Sequence, residues 1–206
     1  MRMQAPSPPV AVAEVVQAGR GRALLLGGVR PVAHGRVLCG PAATCACAPD
    51  DNLALHRALR TAVRGAVLVC AADSTSRCGH FGELMALDAL GAGVAGLVID
   101  GPVRDVVALA DSGLPVFHRG TGPAPCAKER VGSVGAPVTL GGVAVAPGDW
   151  IVADDDGVAV VGADAWEDVL VDVRSLQARE AAILAELAVG RRLADVLGLD
   201  VQGPSS

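Results

Sequence analysis

The chain has 206 residues and a formal net charge of −5, and just over half of it (51%) is apolar, so it can bury a full core and is not a disordered segment. Two Phe, two Trp and no Tyr are present, so that core is aliphatic. Lys and Arg form no run and no stripe interleaved with aromatics, which argues against a nucleic-acid partner.

Met1 to Pro9 is short, polar and Pro-rich and reads as a frayed tail. The residues from 10 to 197 read as one domain, and 198–206 as a second tail. No segment reads as a signal peptide or a membrane span, so a cytoplasmic protein without a membrane partner is expected. Residues 10–29 suggest a helix and then a loop. GRVLCGPAAT, from Gly35 to Thr44, suggests a strand that turns at its Gly-Pro step. Asp50-Asp51-Asn52 before LALHRALRTAV marks a helix start. Residues 66–71 form a continuous apolar run, read as a buried strand. A polar loop follows, then a helix from Glu83 to Leu90 stopped by Gly91 and Gly93.

VAGLVI, from Val94 to Ile99, is a second buried strand; Asp100-Gly101-Pro102 reads as a turn, Arg104 to Asp111 as a short helix, and Leu114 to His118 as a third strand. Alternating strands and helices imply right-handed parallel crossovers. Beyond Gly120 four short strands are separated by Gly-Gly, Pro-Gly and Asp-Gly, which are hairpin signals. Residues 164–190 read as one long helix. The expected fold class is α/β: a parallel βαβ core, C-terminal β-hairpins and a long C-terminal helix.

Six cysteines occur without a C-x-x-C pair, and Cys45-Ala-Cys47 is too tight for a zinc knuckle. They read as reduced thiols. Asp154-Asp155-Asp156-Gly157 reads as a hairpin turn rather than a calcium loop. Asp73 to Ser76 lacks the glycines of a phosphate loop. His80 and His118-Arg119 are weak candidates to line a cleft; His34 and His56 read as exposed.

The chemistry concentrates elsewhere. Ligands bind beyond the carboxyl ends of parallel strands, and two neighbouring strands end at Gly82-Glu83 and at Asp100 to Asp105. Arg104 offers a planar fork to a carboxylate. The amides of Gly82, Glu83, Leu84 and Met85 open a helix, which favours an anion. Asp105 and Glu83 supply hard oxygens for Mg²⁺ or Mn²⁺. Such a set binds a small 2-oxo acid. Glu180 falls on the apolar stripe Val169, Val173, Leu176, Ile183 and Leu187, where a carboxylate is costly unless paired; the stripe suggests packing on a neighbouring subunit that receives Glu180 in its site. Plainer readings remain open: a surface Arg104–Asp105 pair with Asp105 as N-cap, Glu83 complementing the helix dipole, and Glu180 reaching solvent.

FGELMALDALGAGVAGLVIDGPVRDV resembles the core motif of the RraA-like family, which includes the 4-hydroxy-4-methyl-2-oxoglutarate / 4-carboxy-4-hydroxy-2-oxoadipate aldolases and regulator of ribonuclease activity A. The similarity extends from GPAATCACAPDDNLALHRAL to PVTLGGVAVAPGDWIVADDDGVAVV. The resemblance implies a swivelling-domain-like αββα sandwich assembled as a homotrimer or hexamer with intersubunit sites. It implies that Gly82 to Met85 and Arg104 bind pyruvate, that Asp105 ligates Mg²⁺ (or Mn²⁺), and that Glu83, with Glu180 from a neighbour, serves catalysis. Two departures stand out: Gln17-Ala18-Gly19 replaces a usual Asp-Ala-Leu, and Val63-Arg64-Gly65-Ala66 stands where Pro-Gly-Asp is usual. The implied activity is metal-dependent retro-aldol cleavage of a 4-hydroxy-2-oxo acid, with oxaloacetate decarboxylation alongside. The alternatives are a non-catalytic regulator of a ribonuclease and a specialised biosynthetic lyase on the same scaffold.

Overall fold

A computed structural model describes residues 10–199; the tail expected at 1–9, and residues 200–206 of the second, lie outside them. Helix α1 (Val12–Gly19) leads to two short strands, β1 (Ala23–Leu25), where the sequence suggested only loop, and β2 (Arg30–Pro31). Each is an edge strand that exists only by pairing across the fold, β1 with β11 (Gly157–Val161) and β2 with β6 (Val116–Thr121). Local sequence carries little signal for strands of two or three residues.

Strand β3 (Leu38–Ala46) passes straight through Gly40-Pro41 instead of turning there. It changes partners at that point. Leu38 to Pro41 pair antiparallel with β10 (Trp150–Asp154), and Ala42 to Ala46 pair parallel with β4 (Val67–Ala71). A Cβ on Gly40 would lie 2.4 Å from the Gly65 carbonyl oxygen, so the close approach of that turn requires glycine.

Helix α2 (Leu53–Thr61), β4, α3 (Glu83–Ala92), β5 (Gly96–Val103), α4 (Val106–Asp111) and β6 complete the parallel crossovers. Helix α3 runs through Gly91 and stops only where Gly93 turns left-handed at φ 75°. Strand β5 continues across Asp100-Gly101-Pro102, read above as a turn. The pairing of β5 with β6 shifts register between Ile99 and Pro102, and that irregularity absorbs the proline. Then come β7 (Ser133–Val134), the hairpin β8 (Val138–Leu140) and β9 (Val143–Val145), β10, β11, the long α5 (Trp166–Ala188) and a short α6 (Leu193–Leu197). The strand order β1-β11-β10-β3-β4-β5-β6-β2 gives one curled mixed sheet.

Alternation along the strands sorts the core into layers. Leu68, Cys70, Leu97 and Ile99 face α2, α3 and α4. Val67, Val69, Val98 and Phe117 on the opposite face meet Ile151, Ala153, Val158 and Val160. Trp150, Val152, Ala159 and Val161 turn outward to α1 and α5, where the Trp150 and Trp166 rings stack at 4.4 Å. The order helices, sheet, sheet, helices is the expected αββα sandwich.

Candidate active site

All four parallel strands deliver residues at their carboxyl ends. After β3 comes Asn52; after β4, His80 and Gly82; after β5, Arg104 and Asp105; after β6, Cys126 and Lys128. All of these but Asp105, together with His56, Leu84 and Met85, line one cavity of about 160 Å³, and Asp105 stands beside it against Arg104.

Its floor is the junction of two loops. The Arg104 N–H donates to the Phe81 carbonyl at 2.9 Å, and the Glu83 N–H donates to Asp105 Oδ2 at 3.3 Å. Arg104 Nε lies 3.3 Å from the same oxygen. A Cβ on Gly82 would lie 2.5 Å from Asp105 Oδ2 and 2.9 Å from Arg104 Cγ, so only glycine admits this contact. Asp105 sits at φ 55° as the N-cap of α4 without a side-chain cap bond, so its carboxylate is turned to the other loop. In α3 the first helical bond runs from the Ala86 N–H to the Gly82 carbonyl, which leaves the Leu84 and Met85 amides without intrahelical acceptors.

The structure thus brings together Gly82, Glu83, Leu84, Met85, Arg104 and Asp105. Glu83 and Asp105 are exposed and Arg104 half-exposed. Glu180 is not among them: it lies half-buried on α5, in the layer across the sheet, and is absent from the cavity wall. The stripe that carries it is buried through Leu176, and beyond that Ile183 and Leu187 are only half-covered.

Asn52, His56 and Lys128 were not singled out from sequence. Asn52 had been absorbed into a helix start, His56 read as exposed, and Lys128 sits in a loop of no pattern. His56 is half-buried because it turns from α2 into the cavity. The buried side-chain atoms without a hydrogen-bond partner are Asn52 Oδ1, His56 Nε2 and His80 Nδ1, among the described residues, and all three belong to cavity residues. Burial lowers the pKa values of both His56 and His80, which keeps these imidazoles neutral near pH 7.

Asp51 holds the Lys128 loop in place. Its Oδ2 accepts the Glu129 and Arg130 N–H groups at 2.7 and 2.9 Å, and its Oδ1 accepts that of Leu53 at 2.8 Å. Burial opposes its ionisation, but these three donors outweigh it and bring the carboxyl to about 2.

Of the weaker candidates His80 lines the cavity, and the others fall away from it. His118 is buried, with Nδ1 2.6 Å from the Gly120 carbonyl. Arg119 pairs with Asp100, whose other oxygen accepts the Gly141 N–H, so this pair ties β6 to the hairpin. Asp73 Oδ1 accepts the Thr75 N–H and hydroxyl within its own loop. The tip at Asp155-Asp156 is the expected hairpin turn. One cysteine expectation is overturned: Cys78 and Cys126 form a disulfide, while Cys39, Cys45, Cys47 and Cys70 are free. The two bonded residues are 48 apart in sequence, and only the meeting of the loops after β4 and β6 makes them neighbours.

The class defined by the fold is an αββα sandwich that gathers free helix-start amides, an arginine and a carboxylate at the ends of its parallel strands. The RraA-like family profile, described as Aldolase/RraA, matches residues 11–160, and the chain belongs to that family. It is 36% identical over 154 residues to a Halalkalibacterium halodurans protein named "Putative 4-hydroxy-4-methyl-2-oxoglutarate aldolase", covering 75% of this chain and 73% of that one. Among solved structures it resembles Streptomyces coelicolor RraAS2, described as an unusual member of the RNase ES inhibitor RraA protein family, with a TM-score of 0.75 and 28% identity over 92% of this chain and all of that one. An uncharacterized Pseudomonas syringae protein superposes with a TM-score of 0.80 at 25% identity, over 90% and 92% of the two chains. The aldolase naming of relatives supports a lyase activity.

Proposed function

We propose that this protein cleaves a 4-hydroxy-2-oxo acid by a divalent-metal-dependent retro-aldol reaction that releases pyruvate. One observation carries the reading: Arg104, Leu84 and Met85 line a single small cavity, and the Asp105 carboxylate stands beside it, 3.3 Å from both the Arg104 Nε and the Glu83 amide. The donor set fits Mg²⁺ or Mn²⁺. Asp105 spends Oδ2 on both of its contacts and leaves Oδ1 free, and a hard cation that keeps several waters needs few protein ligands. Asp105 would hold it, with Glu83 beside it. Bound there, the metal supplies Lewis-acid polarisation of the 2-oxo carbonyl.

The protein's own groups do the rest. The Arg104 fork and the Leu84 and Met85 amides bind the 2-carboxylate and fix its orientation. Glu83, exposed at the first turn of α3, is the carboxylate placed to move a proton at its side-chain oxygens. Asn52 Oδ1 and His56 Nε2 have unmet hydrogen-bonding capacity toward the distal end of the substrate, and the Lys128 ammonium suits a second carboxylate there. The same set supports oxaloacetate decarboxylation, which develops the same negative charge on the 2-oxo oxygen.

The site is completed by self-association in this reading. Leu84 is 75% exposed and Val107 74%, and with Leu87, Leu90 and Val106 they make an apolar face on α3 and α4 beside the cavity. A neighbour seated on that face in a trimer or hexamer brings in Glu180. No helix among the described residues is long and apolar enough to cross a membrane, and a cytoplasmic enzyme without a nucleic-acid partner belongs to the same reading.

The test is pyruvate release from oxaloacetate and from 4-hydroxy-4-methyl-2-oxoglutarate, with and without Mg²⁺. Arg104→Ala and Asp105→Ala each lower kcat/KM by about 100-fold or more, the range seen when metal-site groups or charged substrate contacts are removed. Glu180→Gln lowers turnover while leaving the fold intact. Normal turnover by the Arg104 or Asp105 variant sinks the assignment. Absence of pyruvate from the wild type under all conditions favours the alternative of a non-catalytic ribonuclease regulator.

A further inference from the structure

The disulfide lies beside a buried imidazole whose Nδ1 has no hydrogen-bond partner. Cys78, His80 and Cys126 are all buried, and one ligand atom from each falls within 4.8 Å of the others. Cys78 Sγ is 3.8 Å from His80 Nε2. In a tetrahedral zinc site, with Zn–S about 2.3 Å and Zn–N about 2.0–2.1 Å, the sulfur–nitrogen edge is about 3.6 Å. The observed spacing is therefore already that of two ligands to one ion. His80 is fully buried and its Nδ1 has no partner, so one ring nitrogen is left with unmet capacity in the interior.

The two cysteines do not depend on the S–S bond for their proximity. The Gly79 N–H donates to the Ala124 carbonyl at 2.9 Å, and the Ala124 N–H to that of Arg77 at 3.3 Å. The Ala127 N–H donates to the Asp50 carbonyl at 2.9 Å, and Asp51 clamps the residues that follow. With the disulfide opened, these backbone bonds still present both thiols to His80. His80 and Cys126 line the cavity, which leaves the fourth position of a tetrahedral ion to water or a ligand oxygen from the cavity side. Three protein ligands with one open position is the arrangement of non-structural zinc sites. Sulfur and imidazole donors select a softer cation than the oxygens of Asp105 do.

We propose that Cys78, His80 and Cys126 form a second, redox-gated metal site, which takes Zn²⁺ or a similar soft divalent cation when both thiols are reduced and is closed when they are joined. A dithiol reductant supplies two electrons and two protons, the S–S bond breaks to two thiols, and the reductant leaves as its own disulfide. The metal ion then displaces both thiol protons to solvent and is held by two thiolates and one neutral imidazole. The site does not rest on the aldolase reading.

Co²⁺ is the probe, because its thiolate complexes absorb by sulfur-to-metal charge transfer. The full chain is first counted for thiols after denaturation, with four of the six cysteines expected to react when oxidised and all six after reduction. The reduced protein then binds one Co²⁺ per chain with a charge-transfer band, Zn²⁺ displaces it, and the oxidised protein shows no such band. Cys126→Ser abolishes the band and His80→Gln weakens Co²⁺ affinity by about 10-fold or more, both with unchanged circular dichroism. Cys47→Ser leaves the band in place, which separates this set from the Cys47–Cys70 pair, whose sulfurs lie 3.6 Å apart. A reduced wild type without the band, or a Cys126→Ser protein that keeps it, overturns the proposal.

Discussion

The two halves of the sandwich satisfy their polar groups differently. On the outer half, α1 and α5 close over β10 and β11, and among the described residues none of their buried side-chain polar atoms lacks a partner. Glu14 accepts the Ala11 N–H and the Gln177 side-chain amide, Asp154 accepts the Val12 N–H, and Arg22 pairs with Asp172. On the half built from β3 to β6, the three unmet buried atoms gather around one cavity. Unmet buried polar atoms cost stability, and their concentration at this cavity agrees with the ligand site proposed there. In the proposed reading the outer half contributes only Glu180 to chemistry, and that to a neighbour; the other half carries the cavity.

That contrast can be broken most forcefully at the stacked indoles. Trp166→Ala removes a ring that is 2% exposed and stacked on Trp150. It is expected to cost about 3–5 kcal/mol of unfolding free energy by denaturant titration, while the remaining folded protein releases pyruvate at the wild-type rate. A matching loss of kcat/KM in the folded fraction would show that the halves are not separable.

The converse change is Gly82→Ala. Its methyl falls 2.5 Å from Asp105 Oδ2, and the backbone there is extended, so the damage is steric. Turnover is expected to fall about 10-fold, or roughly 1.4 kcal/mol in barrier height, with the unfolding midpoint almost unmoved.

The smallest effect is a pH dependence at Asp51. Its carboxyl titrates at about 2 in the folded protein, below the roughly 3.9 of an unfolded chain. Between those values the unfolded state binds more protons, so stability rises with pH. The Asp51 contribution is full above about pH 4 and gone below about pH 2. The Tm difference between wild type and Asp51→Asn, followed by circular dichroism, should shrink as pH falls through that window. A constant difference would mean that the three backbone donors do not set its ionisation.

Much of the fold was legible before any coordinates. The apolar runs at β4 and β5, the long α5 and the Gly- and Asp-punctuated strands fall where periodicity put them, because those signals are local. The resemblance carried the layer order and the pairing of Gly82–Met85 with Arg104–Asp105. Legibility failed where a residue answers to a partner far along the chain. Pro41 and Pro102 looked like strand ends, yet β3 hands over between two neighbours at the first, and a register shift accommodates the second. His56 looked like a surface residue of an amphipathic helix, and the cavity it enters is made by loops that follow other strands.

Sequence alone determined most of the longer elements and the two short motifs, since helix period, strand alternation and turn residues act over a few positions. Tertiary structure decided which loops meet. Asn52, Lys128 and the Cys78–Cys126 bond acquire meaning only when the carboxyl ends of four parallel strands are set side by side. That juxtaposition depends on strand order and crossover hand, which no local stretch of residues encodes.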